Sequence, residues 1–156
     1  MNKKVVLLCA VLLIAFIDAI VVLVSPKDEK YKLSDISLNG IKLNDKATKK
    51  MKQVVEDASF AYEYDKVGFS VDENDKITEM VFYSYESTSE KYGINELKAY
   101  CGKKRLTTVE DFEEIFGEGE KIEKGSYVTV NFSDDSANLS LTVKDGVIIN
   151  IYLELS

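Results

Sequence analysis

The chain has 156 residues, with 20 basic and 27 acidic side chains and a formal net charge of −7. This length accommodates one domain or two very small ones, and an acidic domain is repelled by phosphate backbones, which argues against nucleic-acid binding. The sequence contains no histidine, which removes the commonest general base, the commonest metal ligand and every Ser-His or Cys-His nucleophile. We therefore expect a protein that is not an enzyme and that holds no metal or cofactor.

Residues 5–24 form an apolar run that only Asp18 interrupts. A helix of this length spans about 30 Å, the thickness of the bilayer hydrocarbon. A central carboxylate costs about 2.5–3.5 kcal/mol, while each Leu, Ile, Val or Phe favours insertion by about 0.3–0.6 kcal/mol, so insertion wins. The run predicts a membrane anchor at 1–24, with a cleaved signal sequence as the alternative, although the apolar region of such signals is shorter.

The lysines around this run do not fix its orientation, because Lys3 and Lys4 precede it while Lys27, Lys30 and Lys32 follow it. A very short basic tail before a first apolar segment usually stays in the cytoplasm. We therefore expect a single-pass cell-membrane protein whose domain is extracytoplasmic, or a secreted protein if the signal is cleaved. Residues 25–34 then form a charged tether.

Residues 35–85 form the first predicted unit. Ile36 and Leu38 indicate a short strand before an Asn39-Gly40 turn. Asn44 or Asp45 then caps a predicted helix with apolar residues at helical spacing, namely Ala47, Met51, Val54 and Val55. Three stretches with period-two alternation predict three strands, which begin near Phe60, Val67 and Ile77.

Residues 86–96 form a polar joint, and residues 97–156 form the second predicted unit. Leu97 to Leu106 supply an opening strand, and Thr107 with Glu110 suggests a capping box for a helix that ends at Gly117. Alternating strands follow, and the Lys144-Asp145-Gly146 turn predicts a closing hairpin.

The same order of strand, helix and three strands therefore occurs twice. Identities between the units are few, with Asp75 matching Asp145 and Ser70 matching Ser140. The number of residues between matching elements of the two units changes along the chain, and an insertion around residues 133–138 accounts for this change. Chance similarity between two amphipathic hairpins is the alternative. The predicted fold class is α+β, an N-terminal transmembrane helix followed by two tandem helix-plus-antiparallel-sheet units.

The segment LTTVEDFEEIFGEGEKI, residues 106–122, resembles the SmpA/OmlA-type repeat of bacterial envelope proteins. Two such units in tandem resemble the β-lactamase-inhibitor-protein-like fold. The resemblance implies a concave sheet surface that grips a protein, and it implies binding rather than catalysis, but it carries over no contact residue. The first unit departs from the pattern, because Val54, Val55 and Glu56 stand where the second unit has Phe116 and Gly117.

Two acidic segments and one thiol are further candidates for chemistry. Four carboxylates on the second predicted helix, Glu110, Asp111, Glu113 and Glu114, favour a solvated helix face over the facing pair that glycoside hydrolysis needs. Residues 72–76, DENDK, lack the glycine and the last glutamate of the helix-loop-helix calcium motif and favour a hairpin turn. Cys101 is the domain's single thiol, so we expect no internal disulfide.

The last strand of each unit suggests where a partner would bind. Ile77, Val81 and Tyr83, with Val147, Ile149 and Leu153, are expected to face the helices. The opposite face then carries the candidate partner-binding residues Met80, Phe82, Ile148 and Tyr152. Packing of the two sheets through these positions is the alternative.

The sequence as a whole predicts a membrane-anchored module that recognises a protein or an envelope component. A structural or sensory stalk without its own ligand is the first alternative, and it would bury Met80, Phe82 and Tyr152. A small carboxylate-based hydrolase is the second.

Overall fold

The computed structural model describes residues 31–54, 60–84 and 93–156. The strands of the first half are β1 Ile36–Leu38, β2 Ile41–Lys42, β3 Gln53–Val54, β4 Tyr62–Tyr64, β5 Val67–Val71 and β6 Ile77–Tyr83. The second half contains β7 Ala99–Cys101, β8 Lys104–Arg105, the helix α1 Val109–Phe116, β9 Glu120–Lys124, β10 Tyr127–Ser133, β11 Ala137–Lys144 and β12 Val147–Leu155. Short 3-10 helices at Leu33–Asp35 and Gly93–Glu96 precede β1 and β7.

The strands form two antiparallel sheets. The small sheet has the order β2-β1-β7-β8, and the large sheet has the order β3-β4-β5-β6-β12-β11-β10-β9. Each sheet therefore places the strands of one half beside those of the other, joined by β1 with β7 and by β6 with β12. Both junctions are antiparallel, so the two halves meet in an approximate two-fold arrangement.

The predicted α+β class is wrong. Across the described ranges the chain is mostly strand, and α1 is its one α-helix. The helix predicted from Ala47, Met51 and Val54 does not form, and Val55, the fourth apolar residue of the prediction, lies outside the described residues. The beginning of this segment pairs beside the start of β6, and its end forms β3 against β4. Lys46 makes a β-bridge with Lys76, and the Ala47 N–H donates to the Asp75 carbonyl at 2.8 Å.

The helix predicted in the second half is confirmed, with its cap one residue later than expected. The Thr108 hydroxyl accepts from the Asp111 N–H at 3.3 Å, and the Asp111 carboxylate accepts from the Thr107 and Thr108 N–H groups at 2.8 and 3.0 Å. Gly117 ends the helix with φ of +87°. The Asp145-Gly146 hairpin is also confirmed, with φ of +50° and +78° at its two central residues.

The predicted membrane span at residues 5–24 lies outside the described residues. In the ranges that the structure describes, no helix is long and apolar enough to cross a membrane. The boundaries proposed for the two units and their joint stay predictions.

One cluster of buried apolar side chains lies between the two sheets. The small sheet contributes Ile36, Leu38, Ala99 and Cys101, and the large sheet contributes Phe69, Met80, Phe82, Leu141, Ile151 and Leu153. Phe112 brings α1 into the cluster, with its ring centroid 6.3 Å from that of Phe132.

The chain enters this domain beside two turns. The Tyr31 ring lies against Gly102 in the β7–β8 turn, at a place that any Cβ on Gly102 would occupy. Next along the chain, the Leu33 N–H donates to the Asp134 carboxylate at 2.8 Å, and the Ser34 N–H donates to the Ser136 hydroxyl at 3.1 Å. The insertion at residues 133–138 thus holds the first residues of the domain.

Candidate functional site

The large sheet has one face that points away from the core, which we call the outer face. Side chains alternate between the two sides of a strand, and the register places one continuous set on this side across five neighbouring strands. The set comprises Glu79, Val81, Tyr83, Asn150, Tyr152, Glu154, Asn138, Ser140, Thr142, Lys144, Tyr127, Thr129, Asn131, Ser133, Glu120, Ile122 and Lys124. Both halves of the chain contribute to it.

The outer face is open over most of its area. All of its residues are exposed or half-buried except Val81, and Ile122 and Tyr127 are 49% and 41% exposed. Ile122 pairs with Thr129, the neighbour of Tyr127 on the same face, so the apolar side chains lie close together. Lys144 lies beside them, with its Nζ 5.6 Å from the centre of the Tyr127 ring.

Phe60 covers one end of this face. Gly68 pairs with Val81, and a Cβ on Gly68 would lie 2.6 Å from carbon atoms of the Phe60 ring. The absence of a side chain at Gly68 therefore leaves room for the Phe60 ring on this side of β5. Val81, the partner of Gly68 on β6, is only 2% exposed.

An acidic pair lies on the outer face where the two halves meet. Glu79 and Glu154 are directly opposite each other on β6 and β12, an arrangement that repulsion between like charges makes unfavourable. The Tyr152 hydroxyl donates to Glu154 Oε2 at 2.8 Å. Burial, this hydrogen bond and the charges of Glu79 and Glu154 raise the pKa of Tyr152 well above its ordinary value, so the hydroxyl keeps its proton and stays a donor.

The four residues singled out from the sequence do not share a face. Met80, Phe82 and Ile148 are buried in the core, each at most 1% exposed, whereas Tyr152 is half-buried on the outer face. For the three buried residues, this placement agrees with packing between the sheets, the alternative that the sequence left open. Their role in partner binding stays a prediction.

Ile122, Tyr127 and Thr129 are surface residues of the outer face that the sequence patterns did not single out. The alternation in β10 already separates Val128, Val130 and Phe132 from Tyr127 and Thr129, and this signal identifies the polar side of the strand. It does not identify Ile122, because β9 reads as a charged turn and becomes a strand only beside β10.

In the described part of the chain, the acidic residues singled out from the sequence form ion pairs and close a turn. Glu113 pairs with Lys121 at 2.9 Å, and Glu114 pairs with Lys104. Asp72 closes the β5–β6 turn by accepting from the Asn74 and Lys76 N–H groups at 2.8 and 2.9 Å. Among the described residues, no group of three or more His, Cys, Asp or Glu side chains is placed to hold a metal ion.

Comparison with known proteins leaves the family open. No family model and no curated protein matches the chain, so the resemblance to SmpA/OmlA-type and β-lactamase-inhibitor-protein-like modules gains no support. The chain has a weak structural likeness to a DUF4309 family protein, YjgB from Bacillus subtilis, with a TM-score of 0.35 and 12% identity. The match covers 58% of this chain and 56% of that one, so it spans little more than half of either protein.

Proposed function

We propose that this chain is a membrane-anchored, extracytoplasmic binding module that recognises a partner protein through the outer face. The observation that carries the proposal is that this face is open from β6 to β9, so that strands of both halves of the chain contribute to it. It combines exposed apolar side chains at one end, Ile122 and Tyr127, with the acidic pair Glu79–Glu154 at the other.

The chemistry of the face suggests what the partner offers. Exposed tyrosines and apolar side chains are enriched at protein interfaces. A lysine or arginine of the partner would relieve the repulsion between Glu79 and Glu154, and the Tyr152 hydroxyl holds Glu154 in place for that contact. We therefore favour a partner with an apolar segment next to a basic side chain.

The test uses two matched substitutions in the tagged full-length protein, each followed by crosslinking in intact cells. Ser140 lies at the centre of the outer face, opposite Tyr152 and Asn131, so Ser140→Arg blocks the face without entering the core. Ser37→Arg is the control, because Ser37 is also a half-buried serine on a central strand, but of the small sheet.

We expect a specific crosslinked protein with the natural sequence and with Ser37→Arg, and its loss with Ser140→Arg. Both variants must keep the thermal unfolding temperature of the natural protein. If Ser140→Arg captures the same protein equally well, the outer face is not the binding surface.

The stalk alternative also has an observation in its favour, since Met80 and Phe82 are buried as it requires, although Tyr152, which it also expects to be buried, is half-buried. It differs from the binding proposal in its expectation for the outer face. If the domain is a stalk without a ligand, Ser140→Arg leaves its function unchanged. The natural protein and the Ser140→Arg variant then give the same crosslinked products.

A further inference from the structure

The small sheet has its own solvent-facing side, which we call the basic face. Lys42, Ser37, Tyr100 and Arg105 lie in one row across the four strands, and with strands about 4.8 Å apart this row is about 14 Å long. Lys98 lies on the same side, opposite Asn39, and Lys103 is exposed in the adjoining turn. Tyr100, near the middle, is 36% exposed.

The cations of this face lie close together on one small sheet and, in the part of the chain that the structure describes, have no carboxylate partner. Other lysines of the described residues either pair with a carboxylate, as Lys32, Lys52, Lys66, Lys104 and Lys121 do, or are also outside the ion pairs, as Lys46, Lys124 and Lys144 are. Within residues 31–54, 60–84 and 93–156, Lys42, Lys98, Lys103 and Arg105 form no ion pair. The nearby carboxylates, Asp35 and Asp45, accept from the backbone N–H groups of Lys32 and Lys42 at 2.8 and 2.9 Å.

The point of chain entry lies at the same sheet. Tyr31 packs on Gly102, next to Lys103. Six residues, 25–30, separate Tyr31 from the end of the proposed membrane span at residue 24, and fully extended they span at most about 22 Å. If residues 5–24 cross the bilayer as proposed above, this short connection brings the β7–β8 turn within reach of the lipid headgroups.

We propose that the basic face binds the anionic headgroups of that membrane and so fixes the orientation of the domain; this inference rests on the membrane anchoring in the proposed function. Four cations on one face match a phosphate-bearing lipid surface, and each basic residue close to such a surface strengthens binding about fivefold. Tyrosine suits the same position, because its ring and hydroxyl match the boundary between hydrocarbon and water. With the basic face on the membrane, the outer face of the large sheet is left for a partner.

The test uses a single tryptophan as the reporter, since the chain has none. Full-length Tyr100→Trp is reconstituted in vesicles of phosphatidylcholine alone or of phosphatidylcholine with phosphatidylglycerol, both containing brominated phosphatidylcholine as a quencher. We expect quenching at position 100 several-fold stronger in the phosphatidylglycerol vesicles, and its loss in about 1 M salt, where the screening length is near 3 Å.

Two further proteins complete the design. Lys42→Glu with Arg105→Glu in the Tyr100→Trp background is expected to abolish the extra quenching, and Tyr127→Trp, on the outer face, is expected to be quenched weakly in both vesicles. Equal quenching of position 100 in the two lipid compositions, or quenching that the double variant retains, would overturn the proposal.

Inorganic phosphate distinguishes a lipid surface from a free anion. If phosphate at low ionic strength abolishes quenching while chloride of the same ionic strength does not, the face binds free phosphate and the lipid assignment is wrong. The effect of Ser140→Arg on partner capture is measured in a separate experiment. A negative result for lipid binding by the basic face can therefore be told apart from a negative result for partner binding by the outer face.

Discussion

Val81 lies directly opposite Tyr152 at the junction between the two halves of the large sheet. On either side of this pair, Phe82 is opposite Ile151 and Met80 is opposite Leu153, and all four are buried. Val81 and Tyr152 therefore form the centre of the approximate two-fold arrangement on the outer face, while their immediate neighbours form its counterpart in the core. Alternate residues of the same two strands thus belong to the core and to the outer face.

Substitution of Phe82 and Tyr152 is expected to distinguish these two locations. Phe82→Ala removes a ring that is 1% exposed and should lower the free energy of unfolding by about 3–5 kcal/mol. Tyr152→Ala removes a half-buried ring and one hydrogen bond to Glu154 and should cost about 1–2 kcal/mol. Urea unfolding followed by circular dichroism measures both, and equal losses would contradict the assignment of the two residues to different faces.

The register of the same strands explains why the sequence grouped residues that lie on different faces of the sheet. Matching Asp75 with Asp145 aligns the halves at an offset of 70, which makes Phe82 equivalent to Tyr152. In the structure, the residue of the first half that corresponds to Tyr152 is Val81, at an offset of 71. The offset differs because β6 and β12 each contain a bulge, and the turns that precede these two strands differ in length. A one-residue shift moves a side chain to the other face of the sheet. Period-two alternation could therefore predict each strand, but not which residues of the two strands lie on the same face.

The helices show the same division between local and tertiary signals. α1 could be predicted because its cap and its glycine stop lie within the segment itself. The first half has apolar residues at helical spacing but no such stop, and its Asn44 and Ala47 N–H groups donate to the carbonyls of Ile77 and Asp75. That pairing joins residues about 30 positions apart, which no local pattern reports. The open outer face was likewise unpredictable, since it depends on which side the small sheet covers.

Gly117 is expected to be required for the end of α1. Its φ of +87° and ψ of −179° lie in a region that only glycine adopts without strain, so Gly117→Ala should cost about 1–3 kcal/mol. A Cβ at this position meets no atom within 4 Å, so the loss reflects backbone conformation alone. Thermal unfolding measures it, with Glu118→Ala, the exposed neighbour, as the control that should change stability by less than about 0.5 kcal/mol. An unchanged Gly117→Ala protein would contradict the backbone geometry.

Cys101 is expected to be unreactive in the folded protein. Burial, with a smaller contribution from the charge of Asp35, raises the pKa of the Cys101 thiol to about 11, and the thiolate is the reactive form. In a Cys9→Ser background, a thiol reagent at pH 8 should modify the native protein at least about a hundredfold more slowly than the urea-unfolded protein. Modification of the native protein at the unfolded rate would show that the thiol is accessible.

Asp134 is expected to make the attachment of residues 33–34 depend on pH. Burial raises the pKa of Asp134, but hydrogen bonds from the Ser136 hydroxyl and from the Leu33, Ser136 and Ala137 N–H groups outweigh it and hold the pKa below the ordinary value. A carboxyl whose pKa is depressed by folding stabilises the folded protein above the unfolded pKa, near 3.9, and this contribution is lost as the pH falls through the folded value.

Asp134→Asn should therefore lower the free energy of unfolding by about 1–3 kcal/mol at pH 7, and the difference from the natural protein should shrink as the pH falls below about 4. Hydrogen exchange at the Leu33 amide should accelerate in the variant, because that N–H loses its charged acceptor. The control is Asp135→Asn, whose carboxylate is 78% exposed and pairs with Lys32 at the surface, so its stability should change by less than about 1 kcal/mol. The stability difference between Asp134→Asn and the natural protein could instead stay constant from pH 7 to acid pH. In that case the ionised Asp134 carboxylate is not what holds residues 33–34 in place.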